Sequence, residues 1–497
     1  MSCASTATFD TIVVGAGSAG IPLAVRLAER GRTVLLLDAG PDVRPADFPD
    51  ELRYLSRGLL PEHDWGDTVR SHNEREHAYR RGHLVGGSSA TNGGVAMRAE
   101  AADFAAWPEG WRYDDLLPAF RRSERDVDFP DAPWHGDAGP IPIRRWAERE
   151  WVELQRGFVR GCVAVGHAVC PDHNEPGTTG VGPIPMNREG LERMSTARTY
   201  LEPARDRLAN LTVRAGAHVR RLLLDGGRAT GVELVDGEVL PAGEVVLCAG
   251  FVQDPLLLWR SGIGPADRVR ALGVAPVVDL PGVGANLSDH YVMNFATPVD
   301  PDVIPDDAPN LQTILRATAP GSERVNDLQL TPWVRRHADG RRELGMSVSL
   351  QLPVGVGSVT PRSADPADLA DIRWSFTGEV ENVRRLREGM RMAAQVADAS
   401  GLATDRAALD AELARTDVEL DALVHHEHGA FWHGCGTCAM GDDDTADAVV
   451  DPECRLRGVT NVRICDTAVI PTVPSSNTNM VTVALGERLA DLMEPIA

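Results

Sequence analysis

The hydrophobic pattern opens with two short apolar runs around a striped segment. Thr11-Ile12-Val13-Val14 is mostly apolar and ends at glycine, so it reads as a strand buried on both faces. From Ala19 to Arg30, Ile21, Leu23, Ala24, Leu27 and Ala28 recur at helical spacing, and Gly31 marks the stop. Thr33-Val34-Leu35-Leu36-Leu37 predicts a second buried strand, closed by Asp38. Together these make one βαβ unit. Further along the period changes. Leu328-Gln329-Leu330 and Met346 to Leu352 alternate, which predicts antiparallel strands with one wet or ligand-facing side. Pro298 to Pro309 reads as a Pro/Asp-rich connection. Val383, Leu386, Met390, Ala393, Ala394 and Ala397 put a helix over Glu379 to Asp398, and Asn479 to Met493 reads as a closing helix. There is no internal repeat.

Length and composition narrow the classes. At 497 residues the chain can bury more than one core. All fifty basic residues are arginine, so chemistry that needs an internal amine is excluded: Schiff-base aldolases, pyridoxal-phosphate enzymes and P-loop lysines. A formal charge of −22 argues against binding a phosphate backbone, so no nucleic-acid partner is expected. The first residues carry no basic region followed by an apolar run, and no stretch of eighteen apolar residues offers a membrane span. A cytoplasmic setting is expected. The eight cysteines are scattered apart from Cys435 and Cys438, and read as buried thiols.

Gly15-x-Gly17-x-x-Gly20 sits between the first strand and the helix. Gly15 permits the tight turn, Gly17 a close backbone approach to a pyrophosphate, and Gly20 close packing of helix on strand. The phosphates would lie at the helix N-terminus, and Asp38 is placed to accept a ribose hydroxyl. This unit predicts dinucleotide binding without separating FAD from NAD.

Three other segments do separate them. Tyr79 to Gly94 is a run of glycine and small polar residues, Ala249 to Pro265 another glycine-punctuated stretch, and Phe431-Trp432-His433-Gly434-Cys435-Gly436-Thr437-Cys438-Ala439-Met440-Gly441 precedes Asn477-Thr478-Asn479-Met480. Taken with the glycine turn, these resemble the glucose–methanol–choline (GMC) family of flavin oxidoreductases, over nearly the whole chain and in the family's order. The chain departs from the family at Phe251-Val252-Gln253-Asp254, where smaller residues and a serine before the proline are usual. The compact length and the stretch Asp126 to Arg145 are also similar to the mycofactocin-associated members, although those do not reliably carry Asn-x-Asn.

The resemblance implies an α/β, overall α+β, architecture: a Rossmann-like FAD-binding domain with an inserted substrate domain built on an antiparallel sheet. It places the rest of the first sheet near Leu211–Val213, Glu244–Cys248 and Asn461–Cys465. Residues 8–290 would be mainly FAD-binding, with a substrate-side excursion near 100–190. Residues 291–424 would bind substrate, and 425–497 would return to the first domain with the catalytic pair. Cofactor contacts are implied at Gly15, Gly17, Ser18, Ala19, Gly20, Asp38 and Ala39. The glycine-rich bed implies Arg81, Gly86, Gly87, Ser88, Thr91, Asn92 and Gly93. The distal segments imply Val219, Asp466, Thr467, Ala468, Asn477 and Thr478. Thr91 stands where some members carry the histidine that links FAD covalently, so non-covalent FAD is expected.

Alcohol oxidation needs a base for the hydroxyl proton and a hydrogen bond for the developing alkoxide. Neutral imidazole suits the first task, with a rate rising with pH through about 6–8. The resemblance gives His433 that role and Asn479 the second, with Asn477 as the neighbouring alternative and the helix register favouring Asn479. It makes His290 a structural residue at a domain junction. Phe431 and Trp432 are expected to line the substrate pocket and crowd the flavin edge, which favours a quinone or redox protein over oxygen as electron acceptor. His425, His426, His428, His433, Cys435 and Cys438 crowd one short segment, so zinc is a rival. No second Cys-x-x-Cys follows, and no metal is expected. The reading is an FAD-dependent oxidoreductase acting on a small-molecule alcohol. A hydroxynitrile lyase with a structural FAD and a zinc-bearing non-enzyme remain alternatives.

Overall fold

The computed structural model describes residues 9–55, 61–71, 73–296, 304–305, 308–336 and 342–493. Most of the Pro298–Pro309 connection lies outside the described residues.

The strand Phe9–Val14 lies at the centre of a parallel sheet, with Ile12 and Val13 fully buried. Val34–Leu37 pairs on one side and Val239–Leu247 on the other, both parallel. Leu211–Arg214 extends one edge and Val462–Ile464 the other. The far-separated strands expected of this sheet therefore belong to it. Val34 to Leu37 are all buried, because the sheet is covered on both faces. A hairpin that the hydrophobic pattern did not predict, Val219–Asp225 with Arg228–Leu234, adds antiparallel strands onto Val239–Pro241. One long strand thus serves two neighbours, its first residues the hairpin and its last the parallel core.

The first helix forms at Gly20–Glu29 and the last at Asn479–Leu492. They are locked by a fully buried carboxylate: Glu487 accepts from Arg26 Nε (3.0 Å), Arg122 Nε (2.6 Å) and Tyr200 O–H (2.7 Å). Three donors on one buried acid offset much of its desolvation.

A second sheet has the order Gly429–Ala430, Tyr291–Ala296, Arg342–Leu350, Leu328–Arg336, Thr313–Ala317, Gly180–Pro183, antiparallel throughout. Its outer strands come from segments far before and after the alternating runs. The apolar face, with Leu328, Leu330, Val348 and Leu350 fully buried, lies beneath the helix Val380–Ser400, whose Gly389 lets Val348 approach closely. The polar face is not simply wet. Gln329, Ser349 and Gln351 are buried, and Gln351 Nε2 donates to Ser349 Oγ at 2.6 Å.

Candidate functional site

A cleft of about 720 Å³ opens at the carboxyl ends of the parallel strands, where open α/β sheets bind ligands. The glycine turn forms one wall. Gly15 has φ +105°, and a Cβ there would lie 2.3 Å from the Cys248 carbonyl oxygen, while one on Gly20 would lie 2.0 Å from Gly15 O. Gly17 differs: nothing lies within 4 Å of its missing Cβ, and it faces the cleft. The second glycine bed is fixed to the first, since Gly86 N–H donates to Ala16 O at 2.7 Å. Asp38 accepts from Ala16 N (2.9 Å) and Gly40 N (2.8 Å), and burial lifts its pKa to about 6.

Most expected contacts border this cleft. Ser18, Ala19, Asp38, Ala39 and Val219 line one part of it, and Arg81, Gly87, Ser88, Thr91, Asn92 and Gly93 another. Asp466, Thr467, Asn477, Thr478 and Asn479 complete the wall. Gly20, Gly86 and Ala468 lie behind it; Ala468 is fully buried, and its N–H donates to Asp466 Oδ1 at 2.7 Å. Arg81 is tied into the wall by an ion pair to Asp67 and lies over the Trp65 and Phe251 rings. Trp65 and His218, edge to face at 5.7 Å, also line the cleft and were not singled out by the sequence.

His433 stands at the center of a hydrogen-bonded chain. His290 Nε2 lies 2.8 Å from Pro474 O, which can only accept, so Nε2 carries the proton. Burial holds His290 neutral, with its pKa lowered to about 4, which leaves Nδ1 as an acceptor. His290 Nδ1 is 2.9 Å from His433 Nδ1, so His433 must donate from Nδ1 and keep its lone pair on Nε2. Asn477 Nδ2 reaches that Nε2 at 3.2 Å. Asn477 Oδ1 is buried and unpartnered. Burial first, then the adjacent His290, pushes the His433 pKa well below its ordinary value. The backbone is held by Asp289, whose carboxylate accepts from His433 N (2.8 Å), His290 N (2.7 Å) and Tyr79 O–H (2.6 Å).

Three expectations change here. The helix register favoured Asn479, but helix formation begins at that residue and its Oδ1 accepts from Ser18 Oγ at 2.9 Å; Asn477, on the preceding turn, meets His433. His290 is more than a junction residue, because it contacts His433 directly. Phe431 and Trp432 both border the cleft, but Trp432 crowds it less than expected: it is 47% exposed at φ +63°, and its indole N–H donates to Ala78 O at 3.0 Å. Phe431 does pack edge to face on His433, centroids 4.9 Å apart.

The His/Cys-rich segment does not converge on one point. His428 Nδ1 meets Val424 O, and burial raises the Cys435 and Cys438 thiols well above their usual range. Among the described residues, the one group of side chains within metal-binding reach is Glu124, Asp126 and His135. Its carboxylates already pair with Arg98 and Arg145. A second groove, about 790 Å³, borders Arg26 and Tyr200, whose polar ends are bound to Glu487. Among the described residues no helix is long and apolar enough to cross a membrane.

Family models described as GMC oxidoreductase match residues 9–292 and 353–486. An uncharacterized GMC-type oxidoreductase from Rhodococcus erythropolis is 35% identical over 97% of this chain and 98% of its own length. The 5-(hydroxymethyl)furfural oxidase of Methylovorus sp. is 32% identical, covering 97% and 98%. Among solved structures, pyridoxine 4-oxidase from Mesorbium loti superimposes with a TM-score of 0.84 at 28% identity, over 97% of this chain and 99% of that one.

Proposed function

The chain belongs to the GMC oxidoreductase family, whose cofactor is FAD, and we propose that it oxidises the CH–OH group of an alcohol to an aldehyde or ketone. The cleft suits a dinucleotide. Gly17 leaves open space where a pyrophosphate needs backbone contact, Asp38 is poised for a ribose, and the closing helix begins at the wall with its N–H groups toward the cleft. Bound FAD supplies the acceptor for the hydride of the CH–OH carbon.

The side chains of this protein supply the proton chemistry. His433 Nε2 takes the hydroxyl proton, and the Asn477 amide donates to the substrate oxygen as charge develops there. His290 keeps His433 in the tautomer that can act as a base, and Asp289 fixes its backbone. Asn479 anchors the first helical turn to Ser18. FAD is held without a covalent link, because Thr91 offers no nucleophile suited to forming one. Phe431 packed on His433 narrows the approach to that end of the cleft, which favours a quinone or redox protein over oxygen. Relatives named for 5-(hydroxymethyl)furfural and pyridoxine support a small alcohol as substrate.

The observation that carries this reading is the unprotonated Nε2 of His433, bordering the cleft beside the Asn477 amide, its tautomer defined by the chain from Pro474 through His290. The test is anaerobic mixing of the yellow enzyme with a panel of primary and secondary alcohols. Bleaching of the flavin band, lost in His433→Ala, is expected. Turnover of a cyanohydrin with no bleaching by any alcohol would instead indicate a lyase.

A further inference from the structure

Where Val239–Leu247 turns into the helix Gly250–Arg260, consecutive backbone N–H groups hold two different acids. Ala249 N–H donates to Asp254 Oδ1 at 2.9 Å, and Gly250 N–H donates to Asp466 Oδ2 at 2.5 Å. Asp466 Oδ1 accepts from Ala468 N–H at 2.7 Å. Asp254 is fully buried and Asp466 is 4% exposed. Asp254 Oδ2 is buried and no N–H or O–H reaches it, and the Asp254 and Asp466 carboxyls lie within hydrogen-bonding reach of one another. Among the described residues, no arginine or histidine pairs with either acid. The titratable groups facing them are the thiols of Cys248, Cys438 and Cys465, each kept protonated by burial. Two carboxylates in contact, buried and without a cation, cannot both be ionised.

We propose that Asp254 and Asp466 share one proton, with Asp254 the protonated positioning residue that holds Asp466 against the cofactor cleft and limits the pair to one negative charge. Burial and mutual repulsion push Asp254 far above the ordinary carboxylate range, and burial raises Asp466 as well, as sharing requires. Asp466 borders the cleft and Asp254 lies behind it. A second negative charge in this wall would disfavour an anionic dinucleotide in the cleft, so the shared proton favours cofactor retention. This consequence rests on the FAD reading; the shared proton does not.

The experiment is infrared difference spectroscopy of wild type against Asp254→Asn, in both FAD-loaded and FAD-stripped protein. A protonated-carboxyl C=O band at neutral pH, shifted in D₂O and absent from the variant, is expected; its absence from wild type overturns the proposal. In parallel, FAD content is read by absorbance. Asp254→Asn keeps a donor to Asp466 and should retain FAD at all pH values. Asp254→Leu, of similar size but without a donor, should weaken FAD binding by about tenfold or more, the value of one charge-assisted hydrogen bond. Wild-type FAD affinity should fall at alkaline pH, as the shared proton is lost. Equal affinity in Asp254→Leu and wild type would overturn the positioning role. A wild type that bound no FAD but showed the band would refute the cofactor reading and leave the pair standing.

Discussion

Replacing His290 with leucine tests the hydrogen-bonded chain most directly. Leucine fills much of the same space but offers no acceptor at the 2.9 Å contact with His433 Nδ1. The His433 N–H is then left without its partner, a loss of about 1–3 kcal/mol. The ring also gains access to the tautomer with its proton on Nε2, in which it cannot accept the hydroxyl proton. The combined loss corresponds to flavin reduction slowed by about 10- to 100-fold. The pH profile supplies a second signature. His433 acts when neutral, and its pKa is held well below the ordinary value by burial. The wild-type rate should therefore hold to below pH ~6.5, the unperturbed histidine value. His290 repels a charge on His433 only once it is itself protonated, near pH 4 and below; across the assayed range it is a neutral acceptor that favours the imidazolium, so its removal should move the acid limb to lower pH. The assay is anaerobic stopped-flow reduction, normalised per bound flavin, from pH 5 to 9. His290→Gln, which can present both a donor and an acceptor, should recover part of the rate. A residue that merely supports the fold would lower flavin content and thermal stability while leaving the per-flavin rate and acid limb unchanged; that result would refute the reasoning.

Asn477→Ala should slow flavin reduction by about 10- to 100-fold, whereas Asn479→Ala should reduce at near the wild-type rate and show its effect on FAD retention; single-turnover kinetics beside absorbance ratios would separate them. Acid precipitation should leave all the yellow colour in the supernatant, and Gly17→Val should purify colourless, because its side chain would occupy the open space facing the cleft. Reduced enzyme should be reoxidised faster by a quinone than by oxygen, and Phe431→Ala should speed the oxygen reaction by opening the contact with His433; stopped-flow reoxidation in air-saturated buffer measures both.

What could be read from the sequence was local. The continuous apolar run at Ile12–Val14 and the stripe from Ile21 to Ala28 reflect burial that neighbouring residues share, so period alone identifies them. Gly15 and Gly20 could be read because only a missing side chain tolerates those approaches. The hairpin Val219–Leu234 was harder, since Arg220, Arg221 and Glu233 dilute its apolar pattern on an edge exposed to solvent. The choice between Asn477 and Asn479 turns on geometry that sequence does not carry: register along a helix says nothing about where the preceding turn aims its side chains, and it is Asn477 that lies beside His433. His290 had a readable position but not a readable partner, because the contact with His433 spans 143 residues. Trp432 has a left-handed backbone because Phe431 N–H is bound to His290 O and His433 N–H to Asp289, and sequence cannot announce such a pinning from both sides.

The bond between Ser18 and Asn479 joins residues separated by 461 positions, and Val462–Ile464 completes a sheet begun at Phe9. During synthesis the glycine turn leaves the ribosome 461 residues ahead of the Asn479 that it meets. The nascent chain must carry an open sheet edge beside Val239–Leu247 while the intervening antiparallel domain is being made. The closed cleft accordingly cannot form until residue 479 has been made, and a chain cut short before it could not close around its cofactor.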